Sequence, residues 1–443
     1  MSEWDTKPLG ELAAIRVSNV DKKSQASEHP VRLCNYMDVY AGTYLDDEVE
    51  YMEATASGRE IANFSLQSGD VVITKDSESP DDIGIPALID QTAGGLVCGY
   101  HLAMLRPDKS KIDPLFLLKQ IETDAVRRFY LKRAAGSTRY ALATKTIEST
   151  PIRLAPLEDQ RIIARILRAL DTQIEATEGL IAKQERVRAG LMQDLFTRGV
   201  DQHGQLRPPR VQAPHLYHQT ELGWLPLGWE VVPMGNYIQR IDSGWSPNCD
   251  SEPAADDEWG VLKTTAVVWP GYDSSENKRH PDSVKQLPSV ETKSGDILIT
   301  RKGPMERVGV AVYVEATRPR LMFPDTVFRT RALPSETLLP RFLVAAMQSE
   351  AVQKHWWQRK VGLADAQVNI NHGIVRNTPF QLPPRDEQGR ILAAISTYEA
   401  IQRDYQRELP KLQSAKSGLM QDLLTGKVPV TPLLERALES VPA

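Results

Sequence analysis

Basic, amide and aromatic side chains recur at corresponding places in the two halves of the 443-residue sequence. Lysine and arginine can neutralise phosphates, while arginine, glutamine and asparagine can make bidentate contacts with base edges. These residue types predict a surface that binds nucleic acid, with a solvated face as the alternative for any one residue. The candidates are Lys75, Arg128, Arg133, Ser137, Thr138, Arg139 and Tyr140 in the first half, and Arg301, Lys302, Lys360, Gln367, Asn369 and Asn371 in the second.

A small, polar loop follows the basic segment in each half. Its sequence is AGSTRY at residues 135–140 and GLADAQ at residues 362–367. Glycine allows the backbone to approach a ligand closely. Because the two loops differ, the halves could contact two different base sequences; ordinary loop divergence is the alternative.

Two short motifs could support catalysis, but neither is accompanied by the partners that its chemistry needs. Residues 377–380 (Asn-Thr-Pro-Phe) resemble the loop with which amino-methyltransferases hold a target amine, and the corresponding residues 149–152 lack both key side chains. Asp282 with Glu291 and Lys293 matches the spacing of metal-dependent nucleases, without an equivalent in the first half. We therefore expect no catalytic residue and no metal site.

Charge and cysteine content narrow the class of protein. A net charge of -5 excludes a uniformly basic coat but allows a local basic face. The 3 cysteines are far apart, which argues against a disulfide framework and a Cys-rich zinc site. No apolar run approaches the roughly 18 residues that cross a bilayer, and the first residues do not form a secretory signal. We expect a cytoplasmic protein that does not contact a membrane.

An internal repeat explains why the candidates occur in pairs. The sequence Gly-Leu-Met-Gln-Asp-Leu occurs at residues 190–195 and again at 418–423. The same separation relates the Thr-Pro pairs at 150–151 and 378–379, and Gln160 to Gln388. Further upstream, Ser-Gly-Asp followed by an apolar run occurs at residues 68–74 and 294–300, and Trp4 corresponds to Trp229. The chain is thus two copies of one unit.

Each copy ends in an apolar repeat with the spacing of a coiled coil. Pro410 is expected to kink the second helix. An ordinary core face is the alternative, but each stripe lacks a neighbouring helix in sequence, so we expect the two copies to pair antiparallel. The predicted seam contains Ile163, Leu167, Leu170, Ile174, Ile181, Leu191 and Leu195 in the first copy, and Ile391, Ile395, Tyr398, Leu409, Leu412, Leu419 and Leu423 in the second.

Mixed secondary structure is predicted before each helix. Short β-branched runs at residues 71–74, 297–300 and 308–314 indicate strands, while residues 114–133 and 340–360 are expected to be helical. Prolines and polar turn residues at 201–220 predict a linker between the copies.

The sequence resembles the specificity (S) subunit of type I restriction-modification systems over essentially its whole length. The resemblance rests on the paired Trp and Leu-Gly-type openings, the Ser-Gly-Asp strands and the Gly-Leu-Met-Gln-Asp-Leu ends. It rests also on the helix entries that run from Thr-Pro to Pro-Leu-Glu-Asp-Gln or to Pro-Arg-Asp-Glu-Gln.

The resemblance implies an α+β fold in which two α/β target-recognition domains are separated by two long helices. These helices would form an antiparallel coiled coil, and the whole chain would be a pseudo-two-fold internal repeat. The expected partition is 1–155 for the first recognition domain, 156–199 for the first helix, 200–220 for the linker, 221–382 for the second recognition domain, 383–427 for the second helix and 428–443 for the tail.

The resemblance also implies a non-catalytic subunit that binds a bipartite, asymmetric target in double-stranded DNA. It would scaffold two methyltransferase (M) subunits and restriction (R) subunits. S-adenosylmethionine, ATP and Mg would belong to those partners, and this chain would bind no cofactor. Two alternatives remain open: a catalytic DNA methyltransferase or nuclease with a fused coiled coil, and a coiled-coil scaffold without a nucleic-acid role.

Overall fold

The computed structural model describes residues 4–136, 138–269, 271–364 and 367–430. The chain divides into two compact units: unit 1 combines Met1–Gly179 with Arg407–Ala443, and unit 2 is Leu180–Gln406. Each unit contains one mixed α/β region and parts of both long helices. The boundary between the units therefore falls within each helix, whereas the sequence-based partition assigned each helix to a segment of its own.

Two long helices dominate the helical content, and α10 continues through Pro410. Each is followed within three residues by a glycine with positive φ, Gly199 and Gly426, a common helix end. Among the described residues, no helix is long and apolar enough to cross a membrane. The helices are α1 (Tyr36–Ala41), α2 (Gly58–Phe64), α3 (Pro114–Ile121), α4 (Asp124–Leu131), α5 (Thr144–Glu148), α6 (Leu157–Thr197), α7 (Pro340–Met347), α8 (Glu350–Trp357), α9 (His372–Arg376) and α10 (Arg385–Leu423).

Unit 1 is built on a five-stranded sheet of order β2-β10-β6-β8-β4, accompanied by a three-stranded sheet of order β5-β3-β9. Two strand pairs, β1-β12 and β7-β11, complete it. Its strands are β1 (Asp5–Pro8), β2 (Ala13–Val17), β3 (His29–Cys34), β4 (Tyr44–Leu45), β5 (Met52–Ala56), β6 (Val71–Thr74), β7 (Asp76–Ser77), β8 (Pro86–Ile89), β9 (Leu96–Cys98), β10 (Leu102–Pro107), β11 (Tyr140–Ala141) and β12 (Pro151–Leu154).

Unit 2 repeats this plan with shorter strands. Its sheets have the orders β16-β25-β21-β23, β20-β17-β24 and β22-β27-β26, with the pairs β13-β14, β15-β28 and β18-β19. Its strands are β13 (Tyr217–Thr220), β14 (Gly223–Pro226), β15 (Glu230–Pro233), β16 (Asp242–Ser243), β17 (Gly260–Leu262), β18 (Val267–Val268), β19 (Gly271–Tyr272), β20 (Asn277–Arg279), β21 (Ile297–Thr300), β22 (Lys302–Gly303), β23 (Ala311–Tyr313), β24 (Leu321–Met322), β25 (Val327–Thr330), β26 (Val361–Ala364), β27 (Gln367–Asn369) and β28 (Pro379–Leu382).

The Ser-Gly-Asp sequence anchors the central strand of both units. The glycine has positive φ, and the aspartate after it is buried at the start of β6 or β21. Asp70 accepts a hydrogen bond from Arg106 Nε at 2.8 Å, and Asp296 accepts one from Arg331 Nε at 2.6 Å. The repeated motif therefore ties β6 to β10 and β21 to β25 through a buried carboxylate and an arginine.

The repeated glutamines fix each mixed α/β region to the beginning of its helix. Gln160 Oε1 accepts a hydrogen bond from the backbone of Asp113, and Gln388 Oε1 accepts one from Leu339, at 2.8 Å in both cases. The amide nitrogen of each glutamine donates to the carbonyl five residues earlier, again at 2.8 Å. Both glutamines are buried, so these bonds replace those lost to water.

The end of each long helix completes an apolar core. In unit 1, Leu423 and Leu424 at the end of α10 join Ile163 and Leu167 of α6. In unit 2, Met192, Leu195 and Phe196 of α6 and Ile391 and Ile395 of α10 belong to the core. Within each unit the first part of one helix thus accompanies the last part of the other, and the helices form an antiparallel pair. Every residue of the predicted seam is buried or half-buried.

A buried ion network joins the domain and both helices in unit 1. The Lys119 side chain is fully buried, and its Nζ lies 2.8 Å from Glu122 Oε1 and 2.6 Å from Asp171 Oδ2. Lys416 Nζ lies 2.5 Å from the other oxygen of Asp171, and Tyr44 Oη donates to Asp171 at 2.6 Å. Burial raises the pKa of Asp171, but the adjacent ammonium groups outweigh this and hold that pKa below its ordinary value.

Unit 2 has a reduced version of this network. Arg188 occupies the repeat position of Lys416 and donates from Nη2 to Gln348 Oε1 at 2.6 Å. Glu399 corresponds to Asp171, and its pKa is raised by burial against the opposing charge of Arg188. Ala345 stands where unit 1 has Lys119. The repeat therefore keeps the interhelical contact, while the buried lysine exists in one unit alone.

Three expectations about secondary structure need correction. The helices expected at 114–133 and 340–360 are each two helices, because Thr123 and Ser349 begin a new one as N-caps. The strand expected at 308–314 is limited to Ala311–Tyr313, since Gly309 has positive φ.

The linker expected at 201–220 is folded onto unit 2. Arg207 Nη2 donates to Glu387 Oε2 at 2.9 Å, and Trp229 Nε1 donates to the same oxygen at 3.1 Å. Tyr217 Oη donates to the carbonyl of Pro208 at 2.6 Å, and β13 forms a hairpin with β14. The segment is therefore part of the unit's framework.

Removal of the central charge of the network is expected to destabilise unit 1. Asp171→Asn leaves Lys119 buried without its strongest partner. Loss of one member of a buried ion pair costs about 3–5 kcal/mol, so we expect a fall of that size in the free energy of unfolding. Chemical denaturation followed by circular dichroism measures it.

Glu158→Gln is the matched control, because its side chain is 77% exposed and pairs with Arg161 at the surface. It is expected to change stability by less than about 1 kcal/mol. Since the folded pKa of Asp171 is depressed, its contribution is present at neutral pH and is lost as the pH falls through that pKa. Equal stabilities of the two variants at neutral pH would contradict the importance of the network.

Candidate nucleic-acid interface

The first candidate cluster forms where strand β6 ends. Lys75 follows β6 directly, and β7 pairs antiparallel with β11, which places Tyr140 opposite Ser77. The backbone of Leu142 donates to the carbonyl of Lys75 at 2.8 Å. The structure thus brings Lys75, Arg139 and Tyr140 together, although they are far apart in sequence.

The electrostatics of this cluster centre on Asp76. Its carboxylate is buried and contacts both Lys75 Nζ and His101 Nδ1. Lys75 Nζ also lies 4.9 Å from the ring centroid of Tyr100, which is 48% exposed. The charge of Lys75 is therefore partly neutralised within unit 1.

The loop of the first cluster is a tight turn. Gly136 has φ of 137°, and a side chain there would collide with the carbonyl of Arg139. Thr138 and Arg139 are exposed, as are Arg128 and Arg133 on the preceding helical segment. Ser137 lies outside the described residues.

The second cluster has the same backbone plan. The backbone of Lys75 donates to the carbonyl of His101 at 3.0 Å, and that of Arg301 donates to the carbonyl of Thr326 at 2.8 Å. Strand β22 then pairs with β27, with Lys302 opposite Asn369. His101 and Thr326 therefore occupy equivalent backbone positions in the two clusters, but one carries an imidazole and the other a hydroxyl group.

A cavity of about 550 Å³ lies at the second cluster and is lined by Arg301, Lys302, Asn369 and Asn371. The Arg301 guanidinium is 5.0 Å from the Phe328 ring centroid. Lys302, Asn369 and Gln367 are exposed along paired strands, so their side chains are available to a ligand.

Burial lowers the pKa of one histidine and one lysine in unit 2. Burial lowers the pKa of His372, and the nearby charge of Arg301 lowers it further. Burial also lowers the pKa of Lys360, whose Nζ donates to the carbonyl of Met305 at 2.5 Å and lies 4.6 Å from the Trp357 ring centroid. Lys360 is thus half-buried at the edge of unit 2, away from the residues that line the cavity.

Several site residues are absent from the sequence-based selection. Tyr36, Tyr100 and His101 surround the first cluster, and Ser243 and His372 line the cavity of the second. They lie on elements remote in sequence from the basic segments, and no local pattern marked them. The internal repeat could have indicated His101, because this residue directly precedes β10, the strand that pairs with β6.

The residues with catalytic-like spacing have structural roles. Trp356 Nε1 donates to Thr378 Oγ1 at 2.7 Å, and Phe380 is fully buried. Glu291 accepts from the backbone of Arg320 at 2.7 Å, while the Asp282 side chain is 89% exposed beside Arg279. Among the described residues, no group of three or more histidine, cysteine, aspartate or glutamate side chains could hold a metal ion.

Asn371 has a structural role that its selection as a base-contacting residue did not anticipate. Its Oδ1 accepts a hydrogen bond from the backbone of Ile374 at 2.9 Å and caps α9. We expect Asn371→Ala to lower the free energy of unfolding by about 0.5–2 kcal/mol, while Asn371→Asp keeps the cap and most of the stability. Urea denaturation of both variants checks this, and equal losses would exclude a capping role.

Comparison with known proteins shows which proteins the chain is similar to. Residues 1–186 match the family model of the type I restriction modification DNA specificity domain. The chain is 38% identical over 200 residues to the type I restriction enzyme EcoEI specificity subunit of Escherichia coli, an alignment that spans 45% of this chain and 34% of that protein. It is 22% identical over 445 residues to the MjaVIII specificity subunit of Methanocaldococcus jannaschii, spanning 97% and 94% of the two chains.

Solved structures share the fold. The type I restriction-modification S subunit from M. genitalium superimposes with a TM-score of 0.58 at 14% identity, over 95% of this chain and 96% of that one. A chain from a structure of type I R-M complex assembly gives a TM-score of 0.50 at 17% identity, over 97% and 99%. The duplicated plan of two mixed domains and two long helices is thus a known architecture.

Proposed function

We propose that this chain is a specificity subunit of a type I restriction-modification system and that it selects the DNA sequence on which such a system acts. It is a non-catalytic subunit whose two recognition domains bind a bipartite, asymmetric target in double-stranded DNA. The two half-sites are short, differ in sequence and are separated by a spacer that the chain does not recognise.

One observation carries this proposal: the two clusters share a backbone plan but differ in side chains. The first presents Lys75, Arg139 and Tyr140 beside an aspartate and a histidine. The second presents Lys302 and Asn369 on paired strands. Two sites with the same backbone arrangement and different side chains can bind two different base sequences. Direct readout depends on the hydrogen-bond donors and acceptors that the side chains present to the major groove.

The residues proposed to contact DNA divide by their exposure. Arg128, Arg133 and Thr138 are exposed without a carboxylate partner in the described part of the chain, which suits contacts with phosphates. Arg139, Gln367 and Asn369 have the side chains that make bidentate contacts with bases. Ser137, Tyr140, Lys75, Arg301, Lys302, Lys360 and Asn371 complete the proposed interface.

We further propose that two M subunits bind the chain, one on each copy of the repeat, with R subunits joining the full complex. The repeated helix ends support this, because Gln193 and Gln421 are exposed while their apolar neighbours are buried in the cores. S-adenosylmethionine, ATP and Mg then belong to those partners. The chain would act in the cytoplasm, where it meets DNA.

We propose that the chain follows the domain partition and the coiled-coil seam predicted from its sequence. The recognition domains are assigned to residues 1–155 and 221–382, and the helices to 156–199 and 383–427. The buried positions Leu167, Leu195, Ile391 and Leu423 support the proposed seam.

The test uses the chain in complex with its M subunits. Sequencing that detects methylated adenines in DNA treated with this complex should reveal one two-part motif. The chain alone should modify no DNA, which separates this function from a catalytic methyltransferase or nuclease. Modification at a continuous, uninterrupted sequence, or by the chain alone, would refute the proposal.

Gln367→Ala is expected to relax sequence preference in one half-site. Gln367 is exposed on β27, and loss of a bidentate base contact costs roughly 1–3 kcal/mol of discrimination. Gln219→Ala, on the exposed edge of β13, is the control and should leave the motif unchanged. Genome-wide methylation mapping distinguishes them, and a change spread over both half-sites would contradict the two-domain model.

Arg133→Ala is expected to weaken binding to all DNA sequences alike. Its guanidinium lies 3.9 Å from the Phe129 ring centroid and is exposed, so it can contact a phosphate. Loss of one phosphate contact should reduce the slope of log affinity against log salt by about 1. Arg133→Lys keeps the charge and should keep the slope. A selective effect on one base would assign Arg133 to base recognition instead.

A further inference from the structure

A buried carboxylate in unit 1 connects a histidine to the polar loop at residues 135–140, here called the recognition loop. Asp76 contacts Lys75 Nζ and His101 Nδ1 at the same time. An ionised carboxylate can only accept hydrogen bonds, so Nδ1 of His101 must carry a proton. In the neutral imidazole, Nε2 is then an acceptor, and Arg139 Nη2 lies 3.4 Å from it.

The recognition loop leaves the guanidinium of Arg139 available to an external acceptor. In the part of the chain that the structure describes, no carboxylate forms an ion pair with Arg139. The turn at Gly136 and the pairing of Tyr140 with Ser77 hold the backbone on either side of it. His101 therefore limits the orientation of a side chain whose remaining donors face outward.

We propose that Asp76 and His101 are positioning residues that orient Arg139 toward a guanine in the first half-site, and that protonation of His101 releases Arg139. The inference rests on the proposed function. Arginine contacts guanine O6 and N7 with two parallel hydrogen bonds, so its orientation decides the contact. A protonated imidazole is a donor at both nitrogens and repels the guanidinium, which removes the constraint.

Other charged and titratable groups near His101 belong to several elements. The cavity beside it, of about 140 Å³, is lined by Asp21 and Lys22 of opposite charge. The remaining groups are Tyr36 from α1, Tyr100 from the same loop, Lys75 and Asp76 from the end of β6 and from β7, and Arg139 and Tyr140 from the recognition loop. Among these side chains, histidine is the type that changes charge between about pH 5 and 8.

Unit 2 supplies an internal control. Thr326 takes the place of His101 on the equivalent backbone, and threonine does not titrate in this range. Within one complex, the preference at the first half-site is therefore expected to depend on pH through His101, whereas the second half-site has no such dependence at this position.

The experiment measures methylation of a library of DNA targets by the complex with its M subunits, with every position of both half-sites varied. His101→Leu removes the acceptor and should reduce preference at one base of the first half-site by roughly 10- to 100-fold. Arg139→Lys should relax the same base, since lysine lacks the planar fork. His101→Gln keeps an amide oxygen as acceptor and should retain the preference.

Measurements between about pH 5.5 and 8 separate positioning from general stability. In the wild type, the preference at that base should decline as the pH falls. In His101→Gln the decline should be absent. Retained preference in the second half-site also shows that each variant is folded.

A wild-type complex without a two-part target would refute the proposed function itself. Where that target exists, the inference is overturned if His101→Leu keeps the wild-type preference, or if His101→Gln declines with pH as the wild type does. It is also overturned if His101→Leu and Arg139→Lys relax different bases.

Discussion

Each recognition domain completes its apolar core with the end of a helix that belongs to the other copy of the repeat. Leu423 and Leu424 are fully buried in unit 1, and Leu195 and Phe196 are fully buried in unit 2. Full burial of such side chains contributes about 1.5–3 kcal/mol each. The sheets that carry the recognition clusters pack on these cores, so the placement of Lys75 and Arg301 depends on contacts at the opposite end of the repeat.

Polar contacts add selectivity to this apolar packing. A buried ion pair adds little net stability over apolar residues, because desolvation offsets the attraction. Lys119, Asp171 and Lys416 nevertheless make incorrect pairings costly, since each leaves a buried charge without a partner. Unit 2 has Ala345 at the position of Lys119, and there Arg188 donates a hydrogen bond to Gln348 beside a cavity of about 690 Å³ lined in part by α10.

Much of the fold was predictable because the repeat is long and its apolar spacing is regular. The helices α6 and α10, the strands β6 and β21 and the antiparallel pairing follow from it, since burial dictates the period. The residues of the candidate site were harder to predict from the sequence. Lys119 is fully buried in an ion network, because tertiary partners decide the role of its charge. Asn371 caps α9 through a hydrogen bond to a residue three positions later, a local role that its selection as a base contact did not include. His101 and Tyr100 reach the first cluster from a strand end that carries no local signal.

Because the end of α10 completes the core of unit 1, the order of synthesis affects when this unit can fold. Residues 1–179 leave the ribosome well before Leu423 and Leu424, which complete their apolar core. At about 5–20 residues per second, the first domain waits roughly 10–50 seconds with an incomplete core. Unit 2, whose residues are contiguous, can close first. The nascent chain therefore exposes apolar surface of its first domain for longer than apolar surface of its second domain. Exposed apolar surface of this kind is what chaperones protect during translation.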